Sequence, residues 1–203
     1  MTRDLSPAQR DALERLAQIV DSTTYLAGGV AIALRLHHRQ SRDLDLFSPS
    51  IDPVAQAESI AFTQRDVRIL SQSEGTLYLE VQGVPASWIR YRYPLLLPVE
   101  HLPGIPIPLA SLEDLMCMKL AALAGRGAAR DFWDLHEILT QAKITLAAAL
   151  GTFARKYASH DIGHLVKSLV YFADADAAPL PEGLAAEHWQ RIKNVVEHWV
   201  SAL

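Results

Sequence analysis

The chain has a single cysteine, Cys117, among 203 residues. That excludes an intramolecular disulfide framework and any Cys-rich zinc module, and it fits a reducing compartment. No stretch approaches the about 20 apolar residues of a membrane-spanning helix. A charged start followed by a short apolar run and a small-residue cleavage site is also missing, so the sequence reads as cytoplasmic, with no membrane partner. Positive charge is not in excess: 19 Lys and Arg face 23 Asp and Glu, for a net charge of −4. A uniformly basic surface that wraps nucleic acid without regard to sequence is therefore excluded, and any such contact has to be local. Internal repeats, low-complexity tracts and blocks of five or more charges are absent too, which removes solenoid and disordered-tail readings. What is present is apolar: 50% of residues are hydrophobic. A compact chain of this length buries roughly 70% of its unfolded surface, so a core needs neither metal nor disulfide to hold it.

Ser6-Pro7 opens a helix with a capping hydroxyl and a first-turn proline, and Leu13, Leu16, Ile19 and Val20 form its apolar stripe. Thr23 to Ala27 reads as a short strand ending in Gly28-Gly29, after which Val30, Ala31, Leu34 and Leu36 set a helical period up to His38. From Ser41 to Phe47, Asp43 and Asp45 alternate with Leu44 and Leu46. As a strand this sends both carboxylates to one face and both leucines to the other. A helix over 54–62 follows, then three strands over 66–72, 76–83 and 86–93 that read as a β-meander. Five prolines between Pro94 and Pro108 mark a connector. Beyond it the pattern is helical, at 111–124, 128–141, 145–157, 161–173 and 184–202. The expected fold is α+β, in two lobes: residues 1–110 with a mixed sheet, and residues 111–203 all helical and closing a cleft.

The informative constellation is a glycine pair opening a helix, followed by Asp-x-Asp on a strand. Two carboxylates on one face repel each other unless a divalent cation lies between them, and oxygen donors favour Mg²⁺. Gly28 and Gly29 leave backbone amides bare at the positive end of a helix, where phosphate binds. Together these parts suit a nucleoside triphosphate (NTP) with Mg²⁺, and transfer of a phosphoryl or nucleotidyl group. Taken singly, each motif is also an ordinary turn or a solvated strand face.

The residues Tyr25-Leu26-Ala27-Gly28-Gly29-Val30-Ala31 and His38 through Phe47, which include Arg39-Gln40-Ser41-Arg42-Asp43-Leu44-Asp45, resemble the first motif of the abortive-infection AbiEii/AbiGii nucleotidyltransferase toxins. That family lies within the polymerase β-like superfamily. Leu112-Glu113-Asp114-Leu115, Met118-Lys119-Leu120, Gly125-Arg126-Gly127 and Arg130-Asp131-Phe132-Trp133-Asp134-Leu135 resemble its later motifs, and Trp88 to Leu96 its strand-to-loop segment, so the resemblance runs from about residue 23 to 140. It implies a polymerase β-like fold and a toxin of a type IV-like toxin–antitoxin or phage-defence system, moving a nucleotide from an NTP to an acceptor hydroxyl such as that of tRNA. A cognate antitoxin is the implied partner.

Carried over by position, Asp43 and Asp45 are the metal-binding carboxylates, with Mg²⁺ or Mn²⁺ between them, and Gly28-Gly29 is the phosphate loop. Lys119 is a phosphate-contacting lysine and Asp131 a late acidic residue of the site. Arg39, Arg42, Arg126 and Arg130 are further phosphate contacts. Two positions depart from the pattern. Gly29 stands where serine is frequent, and Ser87 stands where a later strand often carries a third carboxylate. Glu80, one strand away, supplies that acid if the meander turns it toward Asp43 and Asp45. Without a third acid the alternative is a catalytically degenerate nucleotide- or protein-binding module of the same fold.

Other candidates carry blander readings. His37-His38 project about 100° apart on a helix and read as a surface pair. His136, His160 and His164 read as surface or capping residues. Cys117, in an apolar helical run, reads as core, as do Trp133, Trp189 and Trp199. Trp88 beside Arg90 and Arg92 is the one aromatic and basic cluster with a pattern suited to nucleic acid.

Overall fold

A computed structural model describes residues 5–64, 66–159 and 161–203. It divides into two compact units, Met1–Ser111 and Leu112–Leu203.

In the first unit, helix α1 (Pro7–Ala17) starts with a full capping box: the Ser6 hydroxyl accepts from the Gln9 amide and the Gln9 side chain accepts from the Ser6 amide. Strand β1 (Tyr25–Ala27) leads directly into α2 (Gly28–Leu36), which ends at His37 in the left-handed conformation, φ 52°. Strand β2 (Leu44–Ser48), helix α3 (Pro53–Thr63) and strands β3 (Val67–Gln72), β4 (Thr76–Val81) and β5 (Val84–Arg90) follow. The five strands form one mixed sheet in the order β1-β2-β5-β4-β3. β3, β4 and β5 are the expected meander, and β5 then lies parallel to β2. The β4–β5 hairpin turns on Gln82-Gly83, with φ of 52° and 81°. Positive φ at both central residues matches the twist of the flanking strands, so the turn falls before the gap that the sequence pattern leaves between strands over 76–83 and 86–93.

Alternation sets the two faces of the sheet. Leu44, Leu46, Leu77, Leu79, Val81 and Trp88 are buried, with α1 and α3 packed on the central strands through Leu13, Leu16 and Ile60. The opposite face carries Asp45, Phe47, Tyr78 and Glu80, which are only partly covered. The proline-rich connector runs along the outer edge of β1, where the Leu26 amide donates to Pro108 O (2.8 Å) and Ala110 N to Leu26 O (3.0 Å). Those bonds occupy backbone groups that a bare edge strand would leave open.

The second unit contains α4 (Leu112–Gly125), α5 (Ala129–Ala142), α6 (Leu146–Tyr157), α7 (Gly163–Leu169), α8 (Ala173–Ala177) and α9 (Ala186–Ser201). α4 packs on α5, α6 and α7, and α9 on α5 and α7. The stretch read as one helix over 161–173 is two, α7 and α8. The Phe172 ring between them meets Phe132 at 5.0 Å and Trp189 at 5.9 Å, and the chain turns to put it there. Among the described residues no helix is long and apolar enough to cross a membrane.

Candidate active site

Ala27 pairs with Asp45 across β1 and β2, so the residue that enters the helix, Gly28, follows directly beside that carboxylate. The contact is close enough to dictate the residue. Gly28 has φ of 66°, and a Cβ there would collide with Asp45 Oδ2. Gly29 is confined on its other side: a Cβ would lie 2.5 Å from Ser41 Oγ and 2.6 Å from Arg39 Nη2. One peptide unit thus has a carboxylate on one flank and a guanidinium on the other. No side chain caps the first amides of α2, since Ala27 is its N-cap. Those amides are free to meet an anion.

Gly28→Ala is therefore expected to lower stability by about 1–3 kcal/mol, through strained φ and the collision, and to lower activity by more than about tenfold. Gly29→Ala is the milder change, because Gly29 does not have a positive φ and only the Ser41 and Arg39 side chains have to shift. Denaturant melts of both variants check this, and equal losses at the two positions would contradict it.

The loop before β2 is pinned from below. Gln9, itself buried, donates through Nε2 to the carbonyls of Ser41 (2.8 Å) and Arg42 (3.1 Å), and Arg39 Nη1 donates to Gln40 O (2.9 Å). A cavity of about 380 Å³ lies beside this loop, lined by Gln9, Val30, Arg39, Ser41, Arg42 and Pro85 among others. Arg39 is buried there and Arg42 is exposed. Asp43 falls just outside β2, exposed, and Asp45 is inside it and half-buried. Their two-residue spacing is that of one face in extended chain.

Ser87 pairs directly with Asp45 and donates to its Oδ1 at 2.6 Å. The position next to the carboxylate, where the resemblance puts a third acid, is therefore taken by a hydroxyl that fixes Asp45. Glu80 does share the open face, which the buried Leu77, Leu79 and Val81 establish. It is not brought to Asp45, however: β5 lies between the two strands, a backbone separation of about 10 Å, and Glu80 is paired with Arg68 at 2.9 Å. Among the described residues no three His, Cys, Asp or Glu converge as a metal cluster. The oxygen donors available to a cation on this face are Asp43 and Asp45, a donor set whose hardness and charge fit Mg²⁺.

The later motif forms a cluster within the helical unit. Lys119 Nζ lies 2.9 Å from Asp131 Oδ1 and 2.7 Å from Asp134 Oδ2, and all three side chains are buried. Arg126 closes the group, with Nε 2.8 Å from Asp131 Oδ2 and Nη2 2.9 Å from Oδ1. Asp134, which shares the later motif with Asp131, is thus a full member. Arg130 is exposed. A second buried pair, Lys156 and Asp114 at 2.6 Å, had no sequence signal, because its partners lie 42 residues apart.

Burial pushes the Asp131 carboxyl up, but the Arg126 hydrogen bonds and the Lys119 charge outweigh it and hold the group below its ordinary value of 3.8. A folded-state value below the unfolded one means stability that is present above about pH 4 and lost as pH falls through the folded value. The stability gap between the native chain and Asp131→Asn is accordingly expected to narrow below about pH 4 in urea melts. A gap that stays constant down to the lowest pH at which both fold would contradict it.

The fold corrects the readings of His37-His38 and Trp88 and bears out those of His164 and Cys117. His37 is the left-handed cap of α2 and His38 is buried, so they are not a helix-surface pair. His160 lies outside the described residues, and His164 Nε2 is 3.1 Å from the Ala124 carbonyl. Cys117 is buried, and burial pushes its thiol up to about 12, which leaves it unreactive. Trp88 is on the core face and only 1% exposed, so it is no nucleic-acid platform.

Residues 56–198 match the family described as nucleotidyl transferase AbiEii toxin, type IV toxin–antitoxin system. The chain belongs to this family. The match includes the Lys119–Asp134 cluster and begins after Asp45, so the glycine turn and its carboxylates rest on the motif and geometry above. An uncharacterized protein of Aquifex aeolicus is 34% identical over 206 residues, spanning 97% of this chain and all of that one. A similar fold is seen in the Mycobacterium tuberculosis nucleotidyltransferase toxin MenT4, with a TM-score of 0.64 at 20% identity, covering 97% of this chain and 82% of that one. The antibiotic-resistance factor ANT(2'')-Ia has a TM-score of 0.57 at 14% identity, covering 76% and 94%. This AbiEii-family chain is a nucleotidyltransferase with an α+β fold.

Proposed function

We propose that this nucleotidyltransferase binds an NTP at the glycine turn of the first unit and moves its nucleotide to an acceptor hydroxyl on RNA, as a cytoplasmic toxin restrained by a cognate antitoxin. The observation that carries the reading is the contact of Gly28 with Asp45. It sets the bare amides of a helix N-terminus against a carboxylate of an Asp-x-Asp pair, with Arg39 on the far side of the same peptide. Phosphate oxygens are met by the Gly28 and Gly29 amides and by Arg39, with Arg42 at the exposed rim.

Asp43 and Asp45 would hold a divalent cation, which when bound neutralises charge developing on the α-phosphate. Ser87, through its bond to Asp45, keeps that carboxylate in one orientation. In the transfer the acceptor oxygen forms a bond to the α-phosphorus as the bond to the pyrophosphate oxygen breaks. Pyrophosphate leaves, and the hydroxyl proton passes to water. Positioning and charge suffice for this reaction, which asks no covalent step of the protein.

Lys119 and Asp131 support the helical unit in this reading, since each neutralises the other. The acceptor is tested by offering each α-labelled NTP with Mg²⁺ to total bacterial RNA and, separately, to an aminoglycoside. Label on RNA is the expected result. Label on the aminoglycoside alone would overturn the RNA assignment, and nucleotide binding without transfer to any acceptor would favour the binding-only alternative.

A further inference from the structure

The open face of the sheet continues beyond Asp45 as a row of aromatic rings. Ser87 and Ile89, in register with Asp45 and Phe47, fall on the side of the sheet that carries Asp45, and ring contacts carry the row past the end of β5 to Tyr91 and Tyr93. Tyr25 and Phe47 are stacked at 6.0 Å and 18°, Phe47 meets Tyr91 edge-on at 5.4 Å, and Tyr91 meets Tyr93 at 5.4 Å. The row is graded: Tyr25 is 3% exposed and Tyr93 is 51% exposed. Its inner end is core packing, and its outer end presents a ring to solvent on a fixed base. The base is fixed by the Tyr91 amide, which donates to Ser48 O at 2.9 Å, and by Arg90 Nε, which donates to Ile51 O at 2.7 Å. A groove of about 450 Å³ is lined by Glu74, Gly75, Arg90, Tyr91, Arg92 and Tyr93, two cations against one anion.

Aromatic faces beside guanidinium groups are the chemistry that holds unpaired nucleic acid, with bases on the rings and phosphates on the arginines. The placement selects which nucleotide. Tyr91 follows Ser87, at the Asp45 level, by four residues and lies one past the end of β5, a span of about 13 Å in extended chain, farther than the atoms reacting at the carboxylates and in reach of the next nucleotides of the strand that brings the hydroxyl. Resting on the nucleotidyltransferase reading, we propose that Tyr91, Tyr93 and Arg92 form the platform on which the unpaired end of the acceptor strand stacks.

The test needs no catalysis. Binding of a fluorescent single strand of about ten nucleotides to the full chain is measured by anisotropy in EDTA without NTP, with RNA, DNA and duplex arms and a 2-aminopurine near the 3′ end. Tyr93→Ala is expected to weaken single-strand binding by about five- to thirtyfold and to abolish 2-aminopurine quenching. Tyr93→Trp should retain both, and Arg92→Ala should flatten the salt dependence by about one phosphate contact. Stronger binding in the RNA or the DNA arm names the strand, and either supports the platform. Equal binding by Tyr93→Ala with an unchanged melt, equal binding of duplex, or no single-strand binding at all would overturn it. Asp45→Asn separates the two claims: it should bind strand like the native chain and transfer nothing. Transfer that persists in Tyr93→Ala with unchanged affinity removes the platform alone, and stacking without transfer in the native chain removes the nucleotidyltransferase reading alone.

Discussion

Replacing Lys119 by methionine is expected to destabilise the protein by about 3–5 kcal/mol. The ammonium sits 2.9 Å from Asp131 and 2.7 Å from Asp134, and both carboxylates are fully buried. Methionine fills the space of the lysine stem but leaves Asp134 and Asp131 as buried negative charges without the ammonium, with Arg126 bonded to Asp131. Breaking one partner of such a group costs more than the intact group contributes. Since a typical domain is stable by about 5–15 kcal/mol, the loss is a large fraction of the whole. Denaturant unfolding measures it, and Lys119→Met/Asp134→Leu, which removes one of the stranded charges, should recover part of it. A Lys119→Met chain that melts like the native one yet transfers nothing would return Lys119 to the phosphate role implied by the family motif.

The second large effect belongs to Asp45. Asp45→Asn is expected to lower nucleotide transfer by about a thousandfold, as several kcal/mol of charge stabilisation at the α-phosphate are lost. Its melt should stay close to native. Asparagine keeps the carboxylate's shape, and its amide oxygen still accepts the Ser87 hydroxyl that now lies 2.6 Å from Asp45 Oδ1. The charge alone is removed, so the Mg²⁺ dependence should shift to higher concentration along with the fall in rate. A variant that keeps native turnover at the same Mg²⁺ would mean that Asp45 is not a metal-binding carboxylate.

Local patterns made much of this architecture legible. The Ser6 cap, the alternation of Asp43 and Asp45 with Leu44 and Leu46, and the meander are written in residues a few positions apart, where backbone geometry has few choices. The long-range pairings are not. The side of the sheet on which Glu80 stands depends on register, and its distance from Asp45 depends on strand order, which places β5 between them. Helical periodicity assigns polar residues to the surface, so it misplaces Lys119, Asp134, Asp114 and Lys156, whose partners are other buried charges. The break between α7 and α8 has no proline to announce it and follows from where the Phe172 ring packs. Trp88 was misjudged for a related reason: Arg90 and Arg92 follow it at the two-residue spacing of one strand face, but that face is closed at Trp88 by the core, which sequence spacing does not reveal.

Transfer of a nucleotide from an NTP is the activity proposed for the Gly28–Asp45 site. The measurement that tests it most directly supplies the same NTP labelled at the α- or the γ-phosphate, with Mg²⁺ and total RNA, to the native chain and to Asp45→Asn. α-Label is expected to move to RNA and γ-label to be released as pyrophosphate, both only with the native carboxylate. Movement of γ-label to the acceptor, or α-label transfer that survives Asp45→Asn, would contradict it.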